Sequence, residues 1–248
     1  MKAHIALIAA LSLAAPAALH AADAPAFVAV AVADKARPEA DVARDAARKP
    51  ADMLAFSKVK PGESVADLLP GGGYFTRLFA KAVGPKGHVY AVVPPAGATR
   101  PDDGPAKIAA DPAYGNVSLL NFTIAEVSAM APVDVLWTAQ NYHDFHLTRL
   151  HLDVPGLDKL LFSKVKPGGY FIVVDHRAKA GAPVTETADT LHRIDPAVVR
   201  QELEAAGFVY DGEIKVLENP ADDHTKLVFD PAVRGHTDQF VYRFKRPA

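Results

Sequence analysis

The chain contains no cysteine. Disulfides, zinc–thiolate sites, cysteine nucleophiles and the lipid-bearing cysteine of a bacterial lipoprotein are excluded with it. No block or stripe of basic charge appears either. The net charge is −2, so nothing electrostatic points to nucleic acid as a partner. An apolar run of the roughly 20 residues needed to cross a bilayer is also missing. The longest run, Ile5 to Leu19, follows Lys2, contains Pro16, and gives way to His20, Asp23 and Pro25. A positive start, a short apolar stretch and the small pair Ala21-Ala22 make a signal-peptide pattern over residues 1–21, with cleavage after Ala21 or Ala22. The expected product is periplasmic or secreted, with no stable membrane insertion once the signal is removed. The alternative is an uncleaved anchor or an unstructured tail. A cysteine-free chain suits an oxidising compartment as well as a reducing one.

The chain is 248 residues long and half hydrophobic, which fits one domain of about 200 residues plus a tail. Its most informative stretch is residues 64–93, SVADLLPGGGYFTRLFAKAVGPKGHVYAVV. An apolar run through Val65, Ala66, Leu68 and Leu69 stops at Pro70 and opens into Gly71-Gly72-Gly73. Phe75, Leu78, Phe79 and Val83 follow at helical spacing, and Val89 to Val93 closes the unit. Strand, glycine turn, helix and strand make half of an open parallel sheet. Glycines at the first turn let a ligand approach the backbone beside a helix N-terminus.

Elsewhere the pattern is coarser. Residues 22–37 read as a flexible leader, and 38–57 as two short helices broken at Pro50. Strands are expected at 117–122 and 133–138, and a helix at 157–165. Tyr170 to Val174 reads as a buried strand because it is apolar almost throughout. A helix over 196–206 has Asp195 as its N-cap and Gly207 just past its end. The segments 213–217 and 239–245 read as a closing antiparallel pair. No internal repeat or second domain is visible.

These segments together resemble class I S-adenosylmethionine-dependent methyltransferases. More narrowly, the chain is similar to a bacterial family of predicted methyltransferases that carry signal peptides. The matching stretches are RKPADMLAFSKVKPGESVADLLPGGGYFT, NYHDF, VVDHRA, LHRIDPAVV and DQFVYRFKRP, within residues 40–247. The resemblance implies an α/β, Rossmann-like, seven-stranded mostly parallel sheet with a terminal antiparallel strand. Helices lie on both faces, and a small helical N-terminal extension precedes a single domain over 38–248. It further implies methyl transfer from S-adenosylmethionine to an unknown small-molecule acceptor. Asp67 matches the acid of the family's cofactor motif, and Gly71 and Gly73 match its second and third glycines; Gly72 lies between them. Leu69 stands where the first glycine is usual, and Val93 where the family places its ribose-binding acid at the end of the second strand. Asp102 or Asp103 is the candidate substitute. These two departures support a second reading, a catalytically weak or inactive fold that binds a small molecule or partner.

The polar loop Gln140-Asn141-Tyr142-His143-Asp144 follows the fourth strand, at the carboxyl edge where open α/β sheets bind ligands. His143 is the candidate general base, since imidazole titrates near neutrality; Asn141 and Asp144 join it as candidate catalytic groups. Tyr142, His176, Arg177 and His192 are candidate substrate contacts. Each has a structural alternative: the loop caps a helix, Asp175 pairs with Arg177 or another cation, and His192-Arg193 caps the next helix. No metal site is expected, because the histidines are scattered without a compact ligand motif. A nicotinamide or flavin enzyme would need the full glycine fingerprint and an acid about 20 residues on. A serine hydrolase would need Gly-x-Ser-x-Gly. Neither pattern is present.

Overall fold

A computed structural model describes residues 24–95 and 103–248. The expected signal peptide and Asp102 lie outside them. The sheet starts with β1 (Ser64–Leu68), buried from Val65 onward. The glycine turn leads into α5 (Tyr74–Val83), preceded by α1 (Ala26–Val32), α2 (Glu39–Val42), α3 (Asp45–Arg48) and α4 (Pro50–Ser57). Then come β2 (His88–Val93), α6 (Gly104–Ala110), β3 (Val117–Asn121), α7 (Ile124–Ala129), β4 (Val133–Ala139), α8 (Val154–Lys164) and β5 (Val165–His176). The chain continues through α9 (Val184–Leu191), α10 (Pro196–Ala206), β6 (Val209–Ile214) and β7 (Gln239–Lys245).

The seven strands lie in the order β3-β2-β1-β4-β5-β7-β6. The pairs from β3 to β5 are parallel, while β7 is antiparallel to both β5 and β6. The expected α/β, mostly parallel, seven-stranded sheet is therefore observed. Alternation along the strands builds two cores. Val65, Val135, Trp137 and Ile172 face α1, α4 and α5 on one side. Ala66, Leu68, Leu136 and Phe171 face α8 and α10 on the other. Strand order reverses between β1 and β4, so the crevice at their carboxyl ends is the natural ligand position.

Three readings need correction. Residues 22–37 are not all leader: α1 lies within them, with Val28 and Ala31 fully buried. Strand β6 lies at 209–214, earlier than the expected 213–217, with a register shift between Tyr210 and Gly212. Helices α7 and α9 were not foreseen. By contrast α10 forms as read: the Asp195 carboxylate accepts from the Ala197 N–H, and Gly207 ends the helix at φ 112°.

Candidate functional site

At the mouth of the glycine turn, Leu69, Gly71 and Gly73 have φ values of 53°, 54° and 81°. Leu69 thus adopts left-handed backbone, the region glycine occupies freely and leucine rarely does. Its N–H donates to the Val92 carbonyl (2.8 Å), and its own carbonyl accepts from the Asn141 Nδ2 amide (3.0 Å). Asn141 also donates to the Ala139 carbonyl (2.6 Å), so it ties the end of β4 to the turn. Gly73 is the residue before α5, where an added Cβ would collide with the Ile108 side chain; beside Gly71 there is open space.

Asp67, at the heart of β1, is buried and accepts from the Thr76 hydroxyl (2.7 Å). Burial pushes its carboxyl up to about 7, against the pull of Thr76 and Arg48. Val93, at the end of β2, is 5% exposed and offers only its carbonyl, which accepts from the Phe122 N–H. Asp103 is exposed and paired with Lys107 (2.7 Å).

Beyond the turn, a cavity of about 400 Å³ opens at the carboxyl ends of β4 and β5. Arg44, Arg48, Phe75, Gln140, His176 and Phe229 are among its lining, which includes no carboxylate among the described residues. Gln140 is held at φ 67° and accepts from Arg48 (3.0 Å) while donating to the Gln239 side chain (3.0 Å). Arg48 stacks its guanidinium on Tyr74 and Phe75, 4.8 and 5.4 Å from the ring centres. Left-handed non-glycine residues concentrated at one sheet edge are a feature of binding sites. Gln140 belongs to the polar loop read from sequence, though without a role of its own, whereas Arg48 is not among the site residues read from sequence. Arg48 lies at the end of the short helix α3, in a stretch read from sequence only as helical.

The predicted histidines do come together. His143 is 2% exposed, and its Nδ1 lies 2.8 Å from Asp175 Oδ1. Asp175 also accepts from the backbone N–H groups of His143 (2.8 Å) and His176 (2.7 Å). Burial alone would raise the Asp175 carboxyl, but His143 and these donors hold it below the ordinary value. A carboxylate only accepts, so the His143 proton facing it sits on Nδ1. Burial works against charge on His143, yet Asp175, with Asp144 beyond, raises its pKa. Its Nε2 faces His192 Nδ1 (3.2 Å) and Asp144 Oδ1 (3.4 Å). His192 is brought there because the Ile194 N–H donates to the His176 carbonyl at the end of β5 (3.0 Å), the Ile194 carbonyl accepts from the Ala178 N–H (2.9 Å), and buried Arg193 is clamped by Asp222.

Other expected contacts fall away from the mouth. Tyr142 is fully buried and cannot touch a substrate: its hydroxyl sits 2.9 Å from Asp158 and 3.0 Å from Glu202. One hydroxyl proton cannot serve two carboxylates, and burial pushes Asp158 up to about 7, which supplies the second proton. Arg177 does not pair with Asp175. It bridges Asp238 (3.0 Å) and Glu218 (3.5 Å), and so anchors the segment before β7. His176 lines the cavity as a neutral ring, its pKa lowered to about 4 by burial, with Nδ1 on Thr237 Oγ1 (2.7 Å).

No family model matches the chain, and no curated protein matches it. Solved structures do. A SAM-dependent methyltransferase from Aquifex aeolicus superposes with a TM-score of 0.57 at 20% identity, over 82% of this chain and 92% of that one. The 1,6-didemethyltoxoflavin-N1-methyltransferase of Burkholderia thailandensis, solved with S-adenosylhomocysteine, gives 0.54 at 14% identity, over 85% and 82%. Fibrillarin from Aeropyrum pernix, with S-adenosylmethionine bound, gives 0.50 at 14%, over 81% and 76%. At such identities the likeness is one of fold. The chain has the Rossmann-like fold of S-adenosylmethionine-dependent methyltransferases.

Proposed function

We propose that the protein binds S-adenosylmethionine at the carboxyl ends of β1 and β4 and transfers its methyl group to a small-molecule acceptor. The observation that carries this reading is the turn itself. Leu69, Gly71 and Gly73 all keep positive φ, so the loop has a three-glycine backbone although leucine holds the first place. Open space beside Gly71 and the pinning of the Leu69 carbonyl by Asn141 fit a ligand lying along the backbone there. Bound, the cofactor would supply a methyl group already activated by sulfonium. The turn would hold its methionine end, where Arg77 donates to the Gly72 carbonyl (3.0 Å) while paired with Asp41 (2.8 Å). Val93 offers the ribose no carboxylate, so the adenosine end is held with fewer charge-assisted bonds, each of about 1.5–3 kcal/mol.

The protein's own work is alignment and proton handling. Asn141 fixes the turn rather than touching the acceptor. Buried His143, oriented by Asp175, backs the half-exposed pair Asp144 and His192, and an acceptor proton enters the cluster through them. We further read the protein as exported, close to the signal-peptide-bearing bacterial methyltransferases, on the strength of residues 1–21. Among the described residues, no helix is long and apolar enough to cross a membrane. Export removes the cofactor's cytoplasmic supply. With Leu69 and Val93, this favours the second reading, an exported binding module on the same fold.

Calorimetric titration with S-adenosylmethionine and S-adenosylhomocysteine separates the two. Micromolar binding is expected, abolished by Gly73→Leu and weakened by Gly71→Asn, which tolerates left-handed backbone and fills the open space. No heat and no thermal shift at millimolar ligand would leave the binding-module reading. Cell fractionation tests export: mature protein in the cytoplasm contradicts it.

A further inference from the structure

We propose that His143 Nε2, His192 Nδ1 and Asp144 Oδ1 form a binding site for a divalent transition-metal cation. The three atoms lie 3.2, 3.4 and 3.6 Å apart. Ligands about 2.0–2.1 Å from a tetrahedral ion stand roughly 3.3 Å from each other. The triangle already has the edge lengths of one face of a coordination sphere. The donor set, two imidazoles and a carboxylate, suits zinc, cobalt, manganese or ferrous iron rather than magnesium or calcium.

The supporting shell is also in place. Asp175 accepts from His143 Nδ1, which fixes the tautomer with Nε2 free to ligate; metal-bound histidines characteristically have such a carboxylate behind them. Two backbone N–H donors hold that carboxylate still. His192 occupies left-handed backbone at φ 53°, at the end of α9. Asp189 of α9 accepts from the Thr148 N–H and hydroxyl, which joins α9 to the segment carrying His143 and Asp144. The ligand geometry is therefore held from two sides.

The His143 side chain is 3% exposed, while Asp144 and His192 are 25% and 24% exposed. An ion enters from that outer side and displaces any proton on His143 Nε2. Its remaining coordination positions face outward, next to Phe229, whose ring lies 5.1 Å from His192 and also lines the cavity. Loaded, the cluster would engage an acceptor oxygen by ligation instead of by proton uptake. The ion site itself does not depend on the methyl-transfer reading.

Untagged protein, stripped with chelator, is titrated with Co(II) in the absence of S-adenosylmethionine. The expected result is one Co(II) per chain with the visible bands of four- or five-coordination, lost on adding Zn(II). His192→Ala and Asp144→Asn should each weaken binding more than tenfold, and Asp175→Asn by about 10–100-fold. Circular dichroism checks that the variants fold, and His146→Gln, outside the triangle, should bind normally. A protein that takes up no stoichiometric Co(II), or whose uptake survives both His192→Ala and Asp144→Asn, overturns the site. A failed cofactor titration with intact Co(II) binding would overturn only the methyl-transfer reading.

Discussion

Asp158 shows how one residue sets a pH dependence. Its carboxyl is pushed up to about 7 by burial, with Glu202 adding to the rise and the Tyr142 hydroxyl opposing it. Below the unfolded value of 3.8, both states hold the proton and its contribution is fully present. Between 3.8 and about 7 the unfolded chain ionises while the folded one does not, so stability falls as pH rises and then levels off. Asp158→Asn, which keeps a neutral polar side chain, should therefore be worth more at pH 8 than at pH 4. The gain has an upper bound of about 4 kcal/mol, at ~1.4 kcal/mol per unit. Urea unfolding at both pH values checks this; equal effects at the two would refute it. Sequence showed Tyr142 as an exposed-looking loop residue because nothing local reveals that Asp158 and Glu202, 16 and 60 positions on, turn it inward. The same holds for His143 and His192. Each was singled out by type and position, but their meeting across 49 positions depends on the packing of α9 and the 192–195 segment.

At the scale of elements, legibility followed burial. Strands β1, β2 and the apolar end of β5 are covered on both faces, so their sequences are nearly all apolar and unmistakable. Strand β6 lies at the sheet edge, with Val209 55% exposed, and its weak alternation slid the expected strand several residues late. Helix α7 has only six residues, yet Thr123 and Glu126 stand at capping-box spacing, and Thr123 does accept from the Glu126 N–H. That signal was readable. Helix α1 was hidden by its composition: an Ala/Val run next to a signal peptide looks like more of the same. Its packing on α5 leads to a prediction. Val28→Ala should cost about 2 kcal/mol, and a chain starting at Pro38 should lose more, because Arg37 also pairs with Asp45 at 2.5 Å. If residues 24–37 were a leader, neither change would move the denaturation midpoint.

Across the whole molecule, the βαβ unit at 64–93 was enough to foresee an open, mostly parallel sheet, because strand order and handedness rules leave few topologies; its strand order reverses beside β1. The loop after β2 was less legible: Val93 closes the strand with an apolar side chain, and Asp102 lies outside the described residues. The position of β7 has a further consequence. It comes after every other described element in the order of synthesis, yet it fills the slot between β5 and β6. Until residues 239–245 emerge, both neighbours present unpaired edges and the sheet cannot close. A chain ending at Asp238 should therefore fail to unfold cooperatively and should aggregate, as light scattering and urea titration would show; a sharp transition would refute this. Synthesis from the N-terminus thus leaves the β5 and β6 edges of the described sheet without their shared neighbour until residues 239–245 are added.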